Sequence, residues 1–167
     1  MDTTNNTLPP ITKRVTTFGE ALDALGEDHP FVQQWLASSD LYSGTTLGRF
    51  DRDLSAYLML RIITAALNEG WEPKFCKGEY RYYPWFTLFT QGDVSEFSEE
   101  SQQRFTPLED FAGCGDYVVM SDAISIVSAP YSLGHVGARL CFKSAELAQY
   151  AGCQFSSLYA EFSLIRK

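Results

Sequence analysis

Residues 79–90 of the chain read EYRYYPWFTLFT, and this stretch decides the fold class. Tyrosine, tryptophan, phenylalanine and threonine have high strand propensity, so the stretch predicts a β-strand from Glu79 to Thr90. Pro84 has no amide hydrogen, which places the strand at the edge of a sheet or breaks it there with a bulge. A lone strand is not stable in water, so partner strands are expected elsewhere in the chain.

Helices are predicted on the amino-terminal side of this strand. Thr17 and Glu20 have the spacing of a capping box, for a helix that ends before Gly26. A second short helix is predicted to start at Asp28, with a proline in its first turn. Residues 38–50 are rich in serine, glycine and threonine and are predicted to form a loop.

The central helix is predicted from about Asp53 to Asn68. Its apolar residues cover nearly its whole circumference, so it should be buried on most sides. Arg61 interrupts this apolar surface. Its guanidinium either reaches the surface along its aliphatic stem or binds an anion in the wall of a pocket.

Further strands are predicted at Tyr117–Met120, Ala123–Val127 and Val136–Phe142. Beyond them, Ser144 is a predicted N-cap, and apolar residues recur at steps of three and four from Leu147 to Ile165. This order of elements predicts an α+β fold, with helices first, then a small, mostly antiparallel sheet. A long C-terminal amphipathic helix would close it.

The length of 167 residues fits one domain. Residues 1–10 are predicted to be a flexible N-terminal tail and 11–167 a single globular domain. Within it, 93–110 holds six acidic residues against one arginine. This segment is predicted to be an acidic, solvated insertion with one short helical turn.

Charge and composition exclude several functions. The net charge of −8 repels phosphate backbones, so nucleic-acid binding is unlikely. The apolar stretch Leu54–Leu67 is too short to span a membrane and contains an arginine. The four cysteines form no CxxC pair, and no signal-peptide pattern is present, so free thiols and a cytoplasmic location are expected.

Motifs of catalysis are missing from the sequence. It contains no P-loop, no dinucleotide-binding glycine pattern, no nucleophile elbow and no HExxH. Cys114 with His135 could form a nucleophile and base pair, but their spacing gives no support for it. We therefore predict no catalytic residues, no metal site, no cofactor and a protein that is not an enzyme.

The unusual cluster is the aromatic run from Tyr80 to Phe86. Either it is a core strand whose tyrosine hydroxyls reach the surface, or it is an exposed aromatic surface that binds a protein or stacks a base. The predicted ligand- or partner-binding residues are Tyr80, Arg81, Tyr82, Tyr83, Trp85, Phe86, Arg61 and Arg139.

Three blocks of the chain carry a resemblance. They are ITKRV with TFGEA in 11–21, AALNEGWEP with YYPWF in 65–86, and VGARLCFKS with ELAQYAG in 136–162. Together they resemble a family of small uncharacterised proteins encoded by phages and prophages of Bacteroidetes. The resemblance implies a bacterial cytosol during infection, or the virion, and assigns no catalytic residue. The stretch 93–130 lies outside it.

Three functions follow as hypotheses. The leading one is a non-enzymatic phage accessory protein that binds a phage or host protein, or itself, in particle assembly or against a host system. An alternative is a sponge for a nucleotide signal, in which aromatic side chains stack a base and Arg61, Arg81 or Arg139 holds phosphate. A third is an acidic DNA mimic built on 93–110.

Overall fold

The protein is described from a computed structural model, which covers residues 8–42, 49–74, 78–102, 105–107, 117–127 and 138–164. Helices and strands are mixed along the chain, in agreement with the predicted class. The elements are α1 (Ile11–Arg14), α2 (Phe18–Leu25), α3 (Pro30–Tyr42), α4 (Arg49–Asn68), β1 (Tyr80–Thr90), α5 (Gln91–Val94), α6 (Glu99–Gln102), β2 (Phe105–Pro107), β3 (Tyr117–Val127), a 3-10 helix (Ala138–Leu140), α7 (Ala145–Gln154) and α8 (Ser156–Ser163).

The three strands form one antiparallel sheet in the order β1-β3-β2. β1 pairs with β3 residue for residue, from Tyr80 opposite Val127 to Thr90 opposite Tyr117, without a bulge. β1 is therefore an edge strand, one of the two outcomes that its proline predicts. The two separate strands expected at 117–120 and 123–127 are one continuous strand, because pairing with β1 carries on through the residues between them.

Among the described residues, the outer edge of β1 forms one bridge, to Phe142. The amide of Tyr82 donates to the carbonyl of Phe142 (3.1 Å), and the amide of Phe142 donates to the carbonyl of Tyr82 (2.8 Å). Since backbone groups alternate in direction along a strand, every second residue from Tyr82 onward points its amide away from β3. Pro84 is one of these residues, so its missing hydrogen costs no hydrogen bond within the sheet.

The strand predicted at Val136–Phe142 is wrong where the structure describes it. Ala138–Leu140 forms a 3-10 helix, and only Phe142 pairs with β1. Residues 136–137 lie outside the described part. A single bridge in place of a ladder suffices here because side chains from α4 hold the segment.

Residues 141–143 are pinned to the end of α4. The buried side chain of Asn68 donates from Nδ2 to the carbonyl of Cys141 (2.8 Å) and accepts at Oδ1 from the amide of Lys143 (3.0 Å). Nζ of Lys143 also bonds the carbonyl of Asn68 (3.1 Å) and the carboxylate of Glu69 (3.3 Å). Glu69 accepts a second ion pair from Arg14 (2.6 Å), which joins α1 to the same place.

The start of α2 is as predicted. Oγ1 of Thr17 accepts from the amide of Glu20 (3.2 Å), and the Glu20 carboxylate accepts from the amide of Thr17 (3.0 Å). The helix ends at Gly26, whose φ of 80° favours glycine. Hydrogen bonds from Thr16 and Thr17 hold the pKa of the Glu20 carboxyl below its usual value.

The predicted loop at 38–50 is too long. Helix α3 continues to Tyr42 and α4 begins at Arg49, while 43–48 lie outside the described residues. The hydroxyl of Ser38 donates to the carbonyl of Gln34 one turn back (2.7 Å), so this residue satisfies its own polar group inside the helix.

The prediction of one long closing helix is also wrong, because the structure has two helices in this region. Phe155, with φ −115° and ψ 29°, separates α7 from α8. It is itself buried in the core, so the apolar stripe continues across the break although the helix does not. The break lets α7 pack on the sheet while α8 packs on α4, where Phe162 stacks on Tyr57 at 5.6 Å.

The core joins both ends of the chain. Four side chains of α4 are fully buried, as its apolar circumference predicts: Leu60, Ile62, Ile63 and Leu67. Around them lie Ile11 and Val15 from the N-terminal part, Phe142, and residues of α7 and α8. Among the helices that the structure describes, none has the length and apolarity needed to cross a membrane.

The acidic segment holds more structure than one helical turn. It contains part of α5, all of α6, and strand β2, which pairs with β3. The rings of Phe89, Phe97 and Phe105 contact one another at 5.3–5.4 Å. These rings tie the segment to β1, which acidic composition alone does not predict.

Candidate functional site

The aromatic run of β1 does not present all its side chains to one surface. Arg81 and Tyr83 are buried, and Tyr82 is partly buried against the core. Tyr80 is 52% exposed and Trp85 48%. Both interpretations of this run therefore hold for part of it, and its exposed rings lie on both sides of Pro84.

Arg81, Tyr83 and Cys141 form a buried group on one face of β1. Burial raises the pKa of Tyr83 to about 12 and that of the Cys141 thiol to about 11. Both groups therefore keep their protons at neutral pH, and Arg81 is the charged member. The burial of Arg81 (1% exposed) removes it from any surface that a partner could contact.

Arg61 links α4 to α3. Its guanidinium carbon lies 4.0 Å from the centre of the Phe31 ring, and Nη1 donates to Oε1 of Gln34 (2.7 Å). This geometry combines a cation–π contact with a hydrogen bond between neighbouring helices. The side chain is thus engaged in helix packing, and these contacts are with α3 and not with β1.

Arg139 lies elsewhere, in the 3-10 helix. Its side chain is exposed, and the next residue, Leu140, is buried beside β1. Of the three arginines singled out from the sequence, Arg139 is the exposed one.

A groove runs between the outer edge of β1 and helix α8. Its larger part has a volume of about 460 Å³ and its smaller part about 210 Å³, and the two share Phe86, Tyr159 and Ser163 in their walls. The ring of Phe86 lies 5.3 Å from that of Tyr159. The remaining lining residues are Tyr83, Pro84, Trp85, Leu88, Leu140, Ser156, Ala160, Phe162 and Leu164.

The backbone along this groove is open between two covered points. At one end the amide of Tyr82 is bonded to Phe142, and at the other the amide of Thr90 donates to Oδ2 of Asp93 (3.0 Å). Between them, Phe86 and Leu88 point their amides outward, and no residue in the described ranges accepts a hydrogen bond from either. Unpaired strand edges of this kind are templates for another extended chain.

Negative charge gathers at the far end of this edge. Asp93 lies directly on it, and residues 91–102 contain four acidic side chains and no basic one. Hydrogen bonds from the Thr90 hydroxyl and amide hold the pKa of Asp93 below its usual value, so this carboxylate is ionised at neutral pH. Glu96, Glu99 and Glu100 are exposed.

Several residues of the groove were not identified from the sequence. Leu88 was placed in the predicted strand but not singled out, and it is 44% exposed. Tyr159 and Phe162 come from α8, far away in the chain. An aromatic residue directly beside the apolar stripe of the closing helix, as Tyr159 is, could have indicated a second contact surface.

Other predicted chemistry is not brought together. Cys114 and His135 lie outside the described residues. Within the described part of the chain, no three histidine, cysteine, aspartate or glutamate side chains are grouped as metal ligands would be. Comparison of the chain with protein-family models, with curated proteins and with solved structures finds no match.

Proposed function

We propose that this protein acts by binding another protein, through the groove and the open backbone edge of β1. The observation that carries the proposal is the coincidence of three features on one strand. Large apolar side chains are exposed at Trp85 and Leu88, both line the groove, and backbone donors face it. Exposed apolar groups in such a cluster are typical of interaction sites.

The chemistry of the groove suits binding. Its walls are mostly aromatic and aliphatic, and tryptophan and tyrosine are the residues that contribute most often to binding energy at protein interfaces. A partner that fills it would bury the half-exposed ring of Trp85 and supply acceptors to the amides of Phe86 and Leu88. On this proposal the protein is not an enzyme.

The biological setting is part of the proposal. The resemblance to phage and prophage proteins supports an accessory role, in particle assembly or against a host system. The place of action would be the cytoplasm of an infected bacterium, or the virion.

We also propose that 11–167 form one α+β domain. The core supports this, because one cluster of buried side chains includes Ile11 near the start and Tyr159 near the end. Limited proteolysis should then leave one resistant fragment that contains both residues. Two stable fragments would contradict a single domain.

The other two hypotheses have less support. Of the three arginines that a nucleotide sponge could use to hold phosphate, Arg81 is buried and Arg61 is engaged with α3, which leaves the exposed Arg139. The DNA mimic depends on the acidic surface of 93–110, of which 103–104 and 108–110 lie outside the described residues. It stays a prediction.

The test uses two matched leucines. Leu88 on β1 and Leu54 on α4 are exposed to nearly the same extent, 44% and 46%. Wild type, Leu88→Ser and Leu54→Ser would be used as baits in lysate of the natural host, and captured proteins quantified by mass spectrometry. We expect one partner that wild type and Leu54→Ser retain and Leu88→Ser loses.

The result can contradict the proposal in two ways. If both variants retain the partner equally, the edge of β1 is not the binding surface. If wild type captures nothing above an empty matrix and is monomeric by light scattering, the protein-binding function itself is wrong.

A further inference from the structure

We infer that the partner segment is a short extended peptide that pairs with β1 as an added strand, with a basic residue at the Asp93 end. This inference rests on the proposed function and specifies the class of partner. It draws on the backbone of the open edge, on its length and on its charge.

The backbone of the open edge favours an extended occupant. The amides of Phe86 and Leu88 face outward at alternate positions, and the carbonyls of the same residues and of Pro84 face the same way. A helix uses its backbone groups internally and could not pair with them. An extended chain offers donors and acceptors at the same two-residue repeat, which is the mode of strand addition.

The length of the edge limits the occupant to a short segment. The Phe142 bridge at Tyr82 and the Asp93 carboxylate at Thr90 close its two ends. The open part, from Pro84 to Leu88, spans roughly 17 Å at about 3.3 Å per residue. The edge strand of a large sheet would extend beyond both ends and would collide with Phe142 and Asp93.

A second copy of this chain fits the edge poorly. In a symmetric antiparallel pair centred on Phe86, Pro84 of one copy stands opposite Leu88 of the other. The proline has no hydrogen to donate, so each Leu88 carbonyl would lose its bond. Each copy also carries a net charge of −8, which opposes association.

Charge at one end of the edge gives the segment a direction. Both bonds from Thr90 to Asp93 end on Oδ2, so Oδ1 stays open to a cation among the described contacts. Glu96, Glu99 and Glu100 follow it, and no basic residue lies among 91–102. In an antiparallel pairing the amino end of the peptide meets this charge, so a lysine or arginine is expected there.

The side chains of the peptide would alternate between two environments. Those on the side of Phe86 enter the groove lined by Tyr159 and Phe162, whose volume of about 460 Å³ accepts a bulky apolar side chain. Those on the other side lie near Trp85, which borders the groove, and are more exposed to solvent. The expected pattern is therefore apolar at every second position, with a basic residue first.

The experiment is a selection from a library of random short peptides displayed on yeast, with the full chain as bait. Leu88→Pro removes an amide hydrogen that faces outward, so it breaks no hydrogen bond within the sheet. Pro84 is tolerated in the same strand for the same reason. Leu88→Ala removes most of the side chain but keeps the amide, and Leu54→Ala is the control for an exposed leucine elsewhere. Circular dichroism would establish that each variant is folded.

Wild type and Leu54→Ala should enrich peptides with the alternating pattern and an amino-terminal basic residue. Leu88→Pro should bind the best of these at least about tenfold more weakly than Leu88→Ala does, since the proline lacks the donor and places its Cδ on the open edge in its stead. Replacing the basic residue by glutamate should weaken binding by about tenfold at low salt. In the complex, hydrogen exchange at the amides of Phe86 and Leu88 should slow.

Other outcomes overturn the inference. If Leu88→Pro and Leu88→Ala bind the best peptide equally, or if the two amides stay unprotected, strand addition is wrong. If no peptide is enriched while Leu88→Ser still loses a partner from lysate, the partner is not an extended peptide, yet the proposed function stands. If no partner depends on Leu88 in either experiment, both fail. If Leu88→Pro is unfolded, N-methylation of the alternate amides of the peptide removes the reciprocal bonds, those to the outward carbonyls of β1, and should abolish binding.

Discussion

The two ends of strand β1 are built from similar residues but differ in the hydrogen bonding of their outer edge and in the burial of their side chains. The covered end, Tyr80–Tyr83, has its backbone bridged by Phe142 and buries Arg81 and Tyr83. The open end, Pro84–Leu88, has no bridge to a described residue and exposes Trp85 and Leu88. Aromatic content is high at both ends. What differs is whether a described segment from elsewhere in the chain is hydrogen-bonded to the outer edge.

The covering segment is placed by α4. Asn68 bonds the backbone on both sides of Phe142, at Cys141 and Lys143, and so fixes the one residue that bridges to β1. Three distant stretches of the chain meet here, because the carboxylate of Glu69 forms ion pairs with both Arg14 and Lys143. The contrast between the ends thus depends on long-range contacts that can be removed one at a time.

The largest effect is expected from Phe142→Ala. Phe142 is fully buried and belongs to the central core, so its removal should lower the free energy of unfolding by about 3–5 kcal/mol. Leu88→Ala at the open end should cost about 1 kcal/mol or less, since the side chain is already 44% exposed. Urea denaturation of both variants measures the difference. Equal costs would mean that the two ends do not differ in packing.

Asn68→Ala should have a smaller effect, of about 1–3 kcal/mol, because it leaves the buried carbonyl of Cys141 and the partly buried amide of Lys143 without their partner. It should also release the bridge. Hydrogen exchange at the amide of Tyr82 is expected to accelerate more than at Tyr83, whose amide faces β3.

Gln154→Ala is the control for Asn68→Ala. Its side-chain amide also donates to a backbone carbonyl, that of Thr16 (2.8 Å), but it is exposed. Its loss should change stability by no more than about 0.5 kcal/mol. If Asn68→Ala leaves exchange at Tyr82 unchanged, Phe142 is held by its own packing and not by Asn68.

Local signals in the sequence predicted local structure well. The capping box at Thr17 and the stop at Gly26 are as predicted, and β1 starts one residue later than predicted and ends at the predicted Thr90. Each of these features is set by neighbours in the chain. The buried central helix follows from its apolar circumference. Pro84 predicted either an edge strand or a bulge, and the continuous pairing of β1 with β3 shows that β1 is an edge strand without a bulge.

Features decided by distant contacts were missed. The identity of Phe155 does not indicate a helix break, because this residue fits the apolar stripe of one continuous helix and is buried in the core. The propensity of Val136–Phe142 indicated a strand, but the bonds of Asn68 hold its last residues instead. The candidate site was found only in part, because its second wall comes from α8 and composition cannot tell the covered end from the open one.

The smallest effect concerns the charge of Glu69. Partial burial raises the pKa of this carboxyl, but the hydrogen bonds from Arg14 and Lys143 outweigh it, and the pKa lies below the usual 4.5. The unfolded state therefore binds the proton more tightly than the folded state does. The contribution of this group to stability is complete above pH 4.5 and is lost as the pH falls through the folded pKa.

Glu69→Gln should accordingly cost about 0.2–1 kcal/mol at pH 7, a small value because all three side chains are partly exposed to solvent and screened. The difference from wild type should shrink as the pH falls towards 3, and also at high salt, whereas Glu27→Gln on the exposed turn before α3 should show no such trend. Urea denaturation across this pH range measures it. Because Glu69 has a positive φ of 49°, the substitution could instead act on the backbone, and a cost that persists at low pH would show that it does. The covered end of β1 would then depend on the turn after α4 and not on its charges.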